Sequence, residues 1–349
     1  MVNIWRRARL PLALGLCVRA LAIVLAAFAA GQAAERPKVT LLQGFQSMSF
    51  APIYVARAER LFEAEGLDVD VQVVRGASIA FQGVVGGQAP FAAMGATELI
   101  TAADKGLAGV VAVAAVNRAV TVSLAVHRDV ATARGLSRAM PIKERLQALR
   151  GLRIASASPG GAIHTVLLYM LKQGGLDPIR DVTVIAMGGQ AEMLAALQAK
   201  RVDALAVSPP GPETVAAQGI AVLLIALSRG DMPELGNIAY DALVTPRDYA
   251  EKNPEIVRKV ARAIGRGSAF VVDRPEETRK LMLGFFDKTS PDVMREVVEN
   301  LKNAFTRDGR FTEEMWKNAV RFNLEAGKIR KPLETREGVL WTNAYNPGR

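Results

Sequence analysis

Residues that bind metals and form disulfides are scarce in this sequence. The 349 residues include one cysteine, Cys17, and two histidines, His127 and His164. A single cysteine rules out an intramolecular disulfide, a cysteine-rich zinc site and an iron–sulfur cluster. Two histidines are too few for a histidine-rich metal centre. We therefore expect neither a metal site nor any other cofactor.

Motifs of common enzymes are missing as well. The sequence contains no G-x-x-x-x-G-K-[ST] phosphate loop, no H-E-x-x-H zinc helix and no G-x-S-x-G serine elbow, so a serine–histidine–aspartate triad would have to use one of the two histidines. His127 ends an apolar strand, which favours a structural role at the strand end or between lobes. His164 would begin a helix, where a ligand contact and a plain exposed position both stay open. We therefore predict no catalytic residue.

Acidic residues are fewer than basic ones, 34 against 44, which gives a formal net charge of +10. A charge of this size suggests a nucleic-acid or membrane partner only when it lies on the folded domain. Four of the arginines fall within the first 34 residues, which contain no acidic residue, so the remaining chain carries +6. That remainder shows no concentrated basic stripe, and we expect no nucleic-acid partner.

Residues 1–34 have the order of a secretory signal peptide. A start with three arginines is followed by an apolar stretch from Leu10 to Ala30 and then by small residues. Two small-x-small sites predict cleavage near Ala33 or Ala34. The exported chain would then be periplasmic and free of cysteine, because Cys17 leaves with the leader.

Three other interpretations of this leader are weaker. An uncleaved membrane anchor is disfavoured because Arg19 leaves an uninterrupted apolar run of only Ala20 to Ala30, which is too short to span a bilayer. Twin-arginine export is disfavoured because the hydrophobic residues expected just after Arg6 and Arg7 are missing. A lipid anchor on Cys17 is disfavoured because a leucine precedes it and the apolar run continues past it.

From about Lys38 onward, short apolar runs alternate with helical patterns. Several runs are continuously apolar, which is typical of parallel strands covered on both faces. Alternating strands and helices predict an α/β fold with mainly parallel sheets. The predicted strands are Val39–Gln43, Val69–Val74, Phe91–Met94, Val110–Val116, Val122–His127, Arg153–Ala157, Val182–Met187, Ala204–Val207, Val222–Ala226 and Ala239–Val244.

A faint internal repeat predicts two similarly wound lobes. A strand, a loop rich in glycine and serine, a helix and the step Gly66-Leu67-Asp68 are matched later by the same order ending at Gly175-Leu176-Asp177. Chance similarity between βαβ units is the alternative explanation. The chain after Val244 is predicted to be helical, with prolines at four helix starts and Thr312 as an N-cap. We expect this tail to pack on the first lobe.

Small and polar residues follow the predicted strands at the edge where open α/β sheets bind ligands. Small residues let the backbone approach a solute closely, and free N–H groups at helix starts offer donors to oxygens. One such loop is ordinary turn chemistry, but several loops in both lobes predict a cleft between them. The candidate ligand-binding residues are Gln46, Ser47, Ser49, Gly76, Ser78, Gly95, Ala96, Thr97, Ser158, Gly160, Gly161, Ala162, His164, Thr165, Ser208 and Pro209.

Charged residues next to these loops give an ambiguous signal. Arg75 and Arg118 are candidate partners for an anion. Glu98 and Glu192 lie in first helical turns, where a carboxylate complements the helix dipole. The arginines and the helix starts together favour a small anionic or carbonyl-rich organic solute.

Two blocks near the start of the mature chain are distinctive: Lys38-Val-Thr-Leu-Leu followed by Ala51-Pro-Ile-Tyr-Val-Ala-Arg-Ala, and Leu61-Phe-Glu-Ala-Glu-Gly-Leu-Asp-Val. They resemble ABC-transporter solute-binding proteins of the nitrate/sulfonate/taurine type, a group that includes binders of thiamine-pyrimidine precursors. Weaker matches extend the resemblance over about Lys38 to Pro347. One departure concerns the end of the Ala204–Val207 strand, where many relatives have an aromatic residue before the proline. Here Val207 and Ser208 stand there, so stacking on an aromatic ligand is not carried over.

The resemblance implies a periplasmic-binding-protein fold of type II, with a ligand cleft between two lobes. Lobe 1 would comprise residues 35–126 and 232–349, and lobe 2 residues 127–231. The two crossing strands would lie near Ser123–Arg128 and Leu223–Asp231.

The resemblance also implies a function. The protein would be a monomer that captures a small solute by lobe closure and delivers it to the permease and ATPase of an ABC importer at the inner membrane. A ligand-sensing partner of a membrane receptor and an enzyme on the same fold are the alternatives. The related enzymes need a cysteine-rich iron motif or a cysteine nucleophile, and the mature chain offers no cysteine.

Overall fold

A computed structural model describes residues 35–346. The predicted signal peptide, residues 1–34, and its cleavage site near Ala33 or Ala34 lie outside the described residues. The chain from Lys38 onward forms one compact unit. Within the described range, no helix is both long and apolar enough to cross a membrane.

All ten predicted strands are present in the described residues, and they form two five-stranded sheets. The strand order is β2-β1-β3-β10-β4 in the first sheet and β7-β6-β8-β5-β9 in the second. The strands are β1 Lys38–Gln43, β2 Asp68–Val73, β3 Phe91–Gly95, β4 Val110–Ala115, β5 Ser123–His127, β6 Arg153–Ser156, β7 Thr183–Ala186, β8 Ala204–Val207, β9 Ala221–Ala226 and β10 Asp241–Pro246.

Each sheet contains one antiparallel strand, and these two strands lie next to the connections through which the chain passes from one lobe to the other. Strand β5 leaves the first sheet and pairs antiparallel with β8 and β9, whereas β10 returns and pairs antiparallel with β3 and β4. The connections are residues 116–122 and 227–240. The crossing predicted near Ser123–Arg128 is therefore wrong, because five of those residues form β5. The crossing predicted near Leu223–Asp231 begins inside β9, and the lobe limits stay a prediction.

The burial of the strands explains why their sequences are so apolar. Every residue of β3, β4 and β8 is buried, since helices cover both faces of each sheet. The edge strands β2 and β7 keep exposed positions and carry polar residues there. Mainly parallel sheets covered on both faces confirm the α/β prediction.

Helices connect the strands and form the C-terminal part of the chain. The charged segment 128–150 contains two short helices. The helices are α1 Ala51–Ala58, α2 Leu61–Ala64, α3 Ala77–Val85, α4 Ala96–Asp104, α5 Arg128–Ala133, α6 Ile142–Gln147, α7 Ala162–Gln173, α8 Gln190–Gln198, α9 Gly211–Ala217, α10 Arg247–Lys252, α11 Pro254–Asp273, α12 Pro275–Phe285, α13 Pro291–Leu301 and α14 Glu313–Glu325.

The helical tail begins where the sequence predicted. Prolines stand at the first position of α11, α12 and α13, and the Thr312 hydroxyl accepts a hydrogen bond from the Met315 N–H at the start of α14. Helix α11 packs on α1 of the first lobe, as expected. Helices α13 and α14 also contact α9 and α7 of the second lobe. The tail therefore touches both lobes rather than the first alone.

Candidate functional site

The carboxyl ends of the parallel strands from both sheets face a common cavity. Its volume is about 40 Å³, which leaves room for only a few water molecules. The first lobe lines it with Gly44, Phe45, Ser47, Ser49, Phe50, Arg75, Gly76, Ala77, Ser78, Gly95, Tyr240 and Asp241, and the second with Ala157, Ser158, Gly161, Ala162, Ile163, Met187, Gly188 and Ser208. We call this space the inner cavity.

The lobes touch each other around the inner cavity, so the structure is a closed form. The Met48 N–H donates a hydrogen bond of 2.9 Å to the Pro209 carbonyl oxygen across the cleft. Gly95 lies so close to Ala162 that a Cβ on the glycine would collide with the alanine Cβ. Gly76 adopts φ +139°, a conformation that favours glycine, where the chain turns into α3.

Ten of the eighteen predicted binding or anion-partner residues line the inner cavity. They come from loops that follow β1, β2, β3, β6 and β8, as expected from the edge rule for α/β sheets. These residues are Ser47, Ser49, Arg75, Gly76, Ser78, Gly95, Ser158, Gly161, Ala162 and Ser208.

The structure places the remaining predicted residues near the cavity but not on its wall. Gln46 donates a hydrogen bond of 2.9 Å to the Phe285 carbonyl oxygen. The Thr165 hydroxyl donates to the Gly161 carbonyl oxygen, one turn earlier in α7. The Pro209 carbonyl oxygen accepts the hydrogen bond from the Met48 N–H. The others are Ala96 and Thr97, buried in the first turn of α4, with Gly160 and His164 at the start of α7.

The two candidate anion partners differ in position. Arg75 is exposed at the rim of the inner cavity. Arg118 lies in the connection between the lobes, where it donates a hydrogen bond of 2.7 Å to Asn237. Arg118 does not line the cavity, so the structure brings only Arg75 of the pair toward a bound solute.

Two residues missed by the sequence analysis, Tyr240 and Asp241, complete the cavity wall. They stand at the start of β10, and an antiparallel strand begins at the edge where its parallel neighbours end. Two hydrogen bonds join Asn117 to Asp241. The Asn117 Nδ2 donates one of 2.7 Å to the carboxylate, and the Asn117 Oδ1 accepts one of 3.0 Å from the Asp241 N–H. The pair of polar residues before the apolar run 242–244 was the signal in the sequence.

Burial controls the protonation of this new pair. Asp241 is 5% exposed, and burial raises its pKa to about 7, against hydrogen bonds from Asn117 and Ser49. The Tyr240 hydroxyl is buried and has no hydrogen-bond partner of normal geometry among the described residues, although Ser208 lies close enough to affect its pKa. The Tyr240 hydroxyl therefore lines the cavity with unused hydrogen-bonding capacity, next to the Asp241 carboxyl group.

Glu98 is a second buried carboxyl group, and it lies at the contact between the lobes. A Cβ on Gly161 would lie 3.3 Å from its Oε1. Burial raises the pKa of Glu98 to about 8, nearby Asp241 adds to the rise, and Lys328 and backbone N–H groups oppose it. His164 lies in the same region, and burial followed by the Lys328 charge lowers its pKa.

A second, larger depression adjoins the inner cavity. It has a volume of about 370 Å³ and opens to solvent between β2, α8 and the end of α12. It shares Phe45, Arg75 and Gly188 with the inner cavity. We call it the outer pocket. Both lobes line both spaces, and the inner cavity is the better candidate for the recognition site because the loops after the parallel strands meet there. The outer pocket gives room for a solute that extends beyond it.

The described residues contain no group of three or more histidine, cysteine, aspartate or glutamate side chains that could hold a metal ion. The polar side chains that line the inner cavity instead carry hydroxyl groups, one carboxyl group and the Arg75 guanidinium. Such a wall can bind and orient a small molecule by hydrogen bonds.

Comparison with known families decides where the chain belongs. The model of the NMT1-like family matches residues 32–285. The chain is a member of the NMT1-like family. This NMT1-like chain is 26% identical over 330 residues to the riboflavin-binding protein RibY of Chloroflexus aurantiacus, with 89% of this chain and 86% of RibY covered.

Solved structures show the same fold. The alkanesulfonate-binding protein SsuA of Xanthomonas axonopodis pv. citri, bound to MOPS, matches with a TM-score of 0.67 at 17% identity, covering 87% of this chain and 98% of SsuA. The desulfurization enzyme DSZB matches with a TM-score of 0.59 at 14% identity, and the match covers 85% of this chain and 95% of DSZB. The NMT1-like chain therefore has the two-lobed periplasmic-binding-protein fold of type II, which confirms the fold and the family resemblance predicted from the sequence.

Proposed function

We propose that this NMT1-like protein is the extracytoplasmic solute-binding component of an ABC importer. The observation that carries the proposal is the inner cavity, which both lobes enclose at the carboxyl ends of their parallel strands. Binding proteins such as RibY and SsuA among its relatives and structural neighbours support the same role. The signal peptide predicted at residues 1–34 agrees with a periplasmic location.

Lobe closure supplies the mechanism. A solute that contacts both walls of the inner cavity binds the closed form more tightly than the open form, and this difference in affinity drives closure. Contacts such as Met48 to Pro209 form only when the lobes meet. The closed surface would then be what the permease recognises before it accepts the solute.

Two other functions fit the same fold. A ligand-sensing partner of a membrane receptor would use the same cleft and the same closure. An enzyme is represented among the structural neighbours by DSZB. We propose that this chain is not an enzyme, because its sequence places no cysteine after Cys17 and the cavity wall holds no histidine.

Native mass spectrometry of the freshly purified mature protein tests the proposal. We expect a small organic solute to co-purify, and its removal and return should change the radius of gyration in solution scattering. A broad thermal-shift panel provides the second readout, with a higher melting temperature expected for the cognate solute. Failure of every solute in both measurements would contradict the proposed role, and turnover of a bound solute would favour an enzyme.

A further inference from the structure

The inner cavity presents a buried carboxyl group and a buried hydroxyl group that has no regular partner within the part of the chain that the structure describes. Asp241 and Tyr240 are consecutive residues, 5% and 3% exposed, and both line the cavity. The Asp241 carboxylate accepts hydrogen bonds from Asn117 and Ser49. The Tyr240 hydroxyl has no hydrogen-bond partner of normal geometry among the described residues. Buried polar groups without partners are costly, so their presence on a cavity wall points to a ligand that completes them.

Aromatic side chains line the cavity together with this carboxylate. Phe45, Phe50 and Tyr240 line the same small cavity as Asp241. A cavity lined by a carboxylate and aromatic side chains favours an organic cation, because the anion attracts the charge and ring faces attract it through their quadrupoles. An oxyanion in the same place would face the Asp241 charge across a poorly solvated space.

One basic side chain lines the cavity together with this acidic residue. Among the described lining residues, Arg75 is the one basic side chain, and it is exposed at the rim, where solvent screens it. Arg118, the other arginine considered for an anion, is bonded to Asn237 away from the cavity. The innermost polar groups therefore favour a hydrogen-bond donor over an anion.

We propose that the inner cavity binds solutes whose buried end is an organic cation rich in N–H donors, of the amidinium or protonated-amine type, and that Asp241 is the residue that selects it. This inference rests on the proposed function, since it names the solute class of the same site. The donor head occupies the inner cavity between Asp241 and Tyr240. A larger body of the solute continues past Phe45 and Arg75 into the outer pocket, which shares both residues.

Benzamidinium and benzoate are the probes, because they have nearly the same shape and opposite charge and hydrogen-bond polarity. Titration calorimetry on the mature protein, freed of co-purified solute by unfolding and refolding, should show benzamidinium binding about tenfold or more tightly than benzoate. D241N should remove most of this preference. D68N is the matched control, since Asp68 is exposed at the start of β2, and it should retain the wild-type preference.

A second variant keeps the test decisive if D241N fails to fold. Y240F removes only a hydroxyl from a buried ring and should weaken benzamidinium binding about three- to tenfold, with little effect on benzoate. Equal or tighter binding of benzoate, undiminished benzamidinium binding by D241N or Y240F, or the absence of binding by both probes would overturn the inference.

The solute that co-purifies separates this inference from the proposed function. A co-purified solute with N–H donors, lost in D241N and kept in D68N, supports both. A co-purified solute that has an acidic head and no N–H group overturns the donor inference and leaves the receptor role standing. If no solute co-purifies and none closes the cleft, the proposed function fails and the inference fails with it.

Discussion

The two walls of the inner cavity differ in chemistry. Lobe 1 provides every ionisable group that lines it in the described structure, namely Arg75, Tyr240 and Asp241. Lobe 2 provides serine hydroxyls, glycine backbone and apolar side chains such as Ile163 and Met187. Lobe 1 therefore carries the groups that distinguish one solute from another, and lobe 2 carries small groups that allow a close approach.

This division suggests an order of events. A solute first meets the charged and polar groups of lobe 1, whose Asp241 is already held in place by Asn117 from the connection between the lobes. Lobe 2 then closes over it, with Gly161 and Ala162 at the start of α7 brought against Gly95 and Glu98 of lobe 1. Substitutions in lobe 1 should change which solute binds, and those in lobe 2 should change how firmly the cleft stays closed.

The largest effect is expected where the two walls come closest. In Gly95→Ala, the new Cβ collides with the Ala162 Cβ, so the lobes must stay further apart. Overpacking of this kind costs about 1–3 kcal/mol, which corresponds to a loss of affinity of up to about a hundredfold. Calorimetry with the co-purified solute or with benzamidinium measures the loss, and solution scattering should show a larger radius of gyration.

Gly284→Ala is the control for this experiment. Gly284 lies in α12, its position is exposed, and an added Cβ would meet nothing within 4 Å. It should leave both affinity and radius of gyration unchanged. Normal closure of Gly95→Ala would show that the tight contact between the walls is unimportant.

The acidic wall of lobe 1 predicts a dependence of binding on pH. Benzamidinium needs the ionised Asp241, whose pKa burial raises to about 7. Affinity should rise with pH up to about 7 and level off above it, by about tenfold per pH unit at most. Of the other groups here, Tyr240 stays neutral throughout this range, and burial raises the pKa of Glu98 to about 8, above that of Asp241. A flat profile from pH 5.5 to 8.5, or the same slope in D241N, would contradict the assignment.

Glu98 belongs to lobe 1 but contacts lobe 2, so its ionisation tests how the closed contact between the two lobes affects stability. Its pKa is raised by burial from 4.5 to about 8, so the folded state holds a proton that the unfolded state releases. The free energy of unfolding should therefore fall as pH rises from about 4.5 to about 8, by about 1.4 kcal/mol per pH unit at most. Glu98→Gln should remove the Glu98 share of this slope, leave the share of Asp241 below about pH 7, and be more stable than wild type at pH 8.

Urea unfolding at pH 5 and pH 8 measures this difference. Glu251→Gln serves as the control, since Glu251 is an exposed residue of α10, and it should keep the wild-type slope. Equal slopes in wild type and Glu98→Gln would show that Glu98 is ionised in the folded protein at neutral pH, with Lys328 as the compensating charge.

Local patterns in the sequence were enough to predict the strands and half of the residues that line the inner cavity. Apolar runs such as Ala204–Val207 identify buried strands, and small residues such as Gly161 follow strands at the edge that binds ligands. Asp241 was missed because it lies at the beginning of a strand, and only the antiparallel return of β10 brings a strand start to that edge. The role of Glu98 was missed because its burial depends on closure against Gly161, a contact distant in the sequence.

The smallest effect is expected from a single hydroxyl of lobe 2. Ser158→Ala removes one hydrogen-bonding group from the wall that closes last, and the net contribution of such a bond predicts a loss of about three- to tenfold in affinity. Because lobe 1 makes the first contacts, the loss should appear as faster dissociation of benzamidinium in stopped-flow measurements, with the association rate unchanged. Ser137→Ala, an exposed position of the same lobe, should change neither rate. A slower association in Ser158→Ala would mean that lobe 2 takes part in the first encounter, and the division of roles between the two walls would then be wrong.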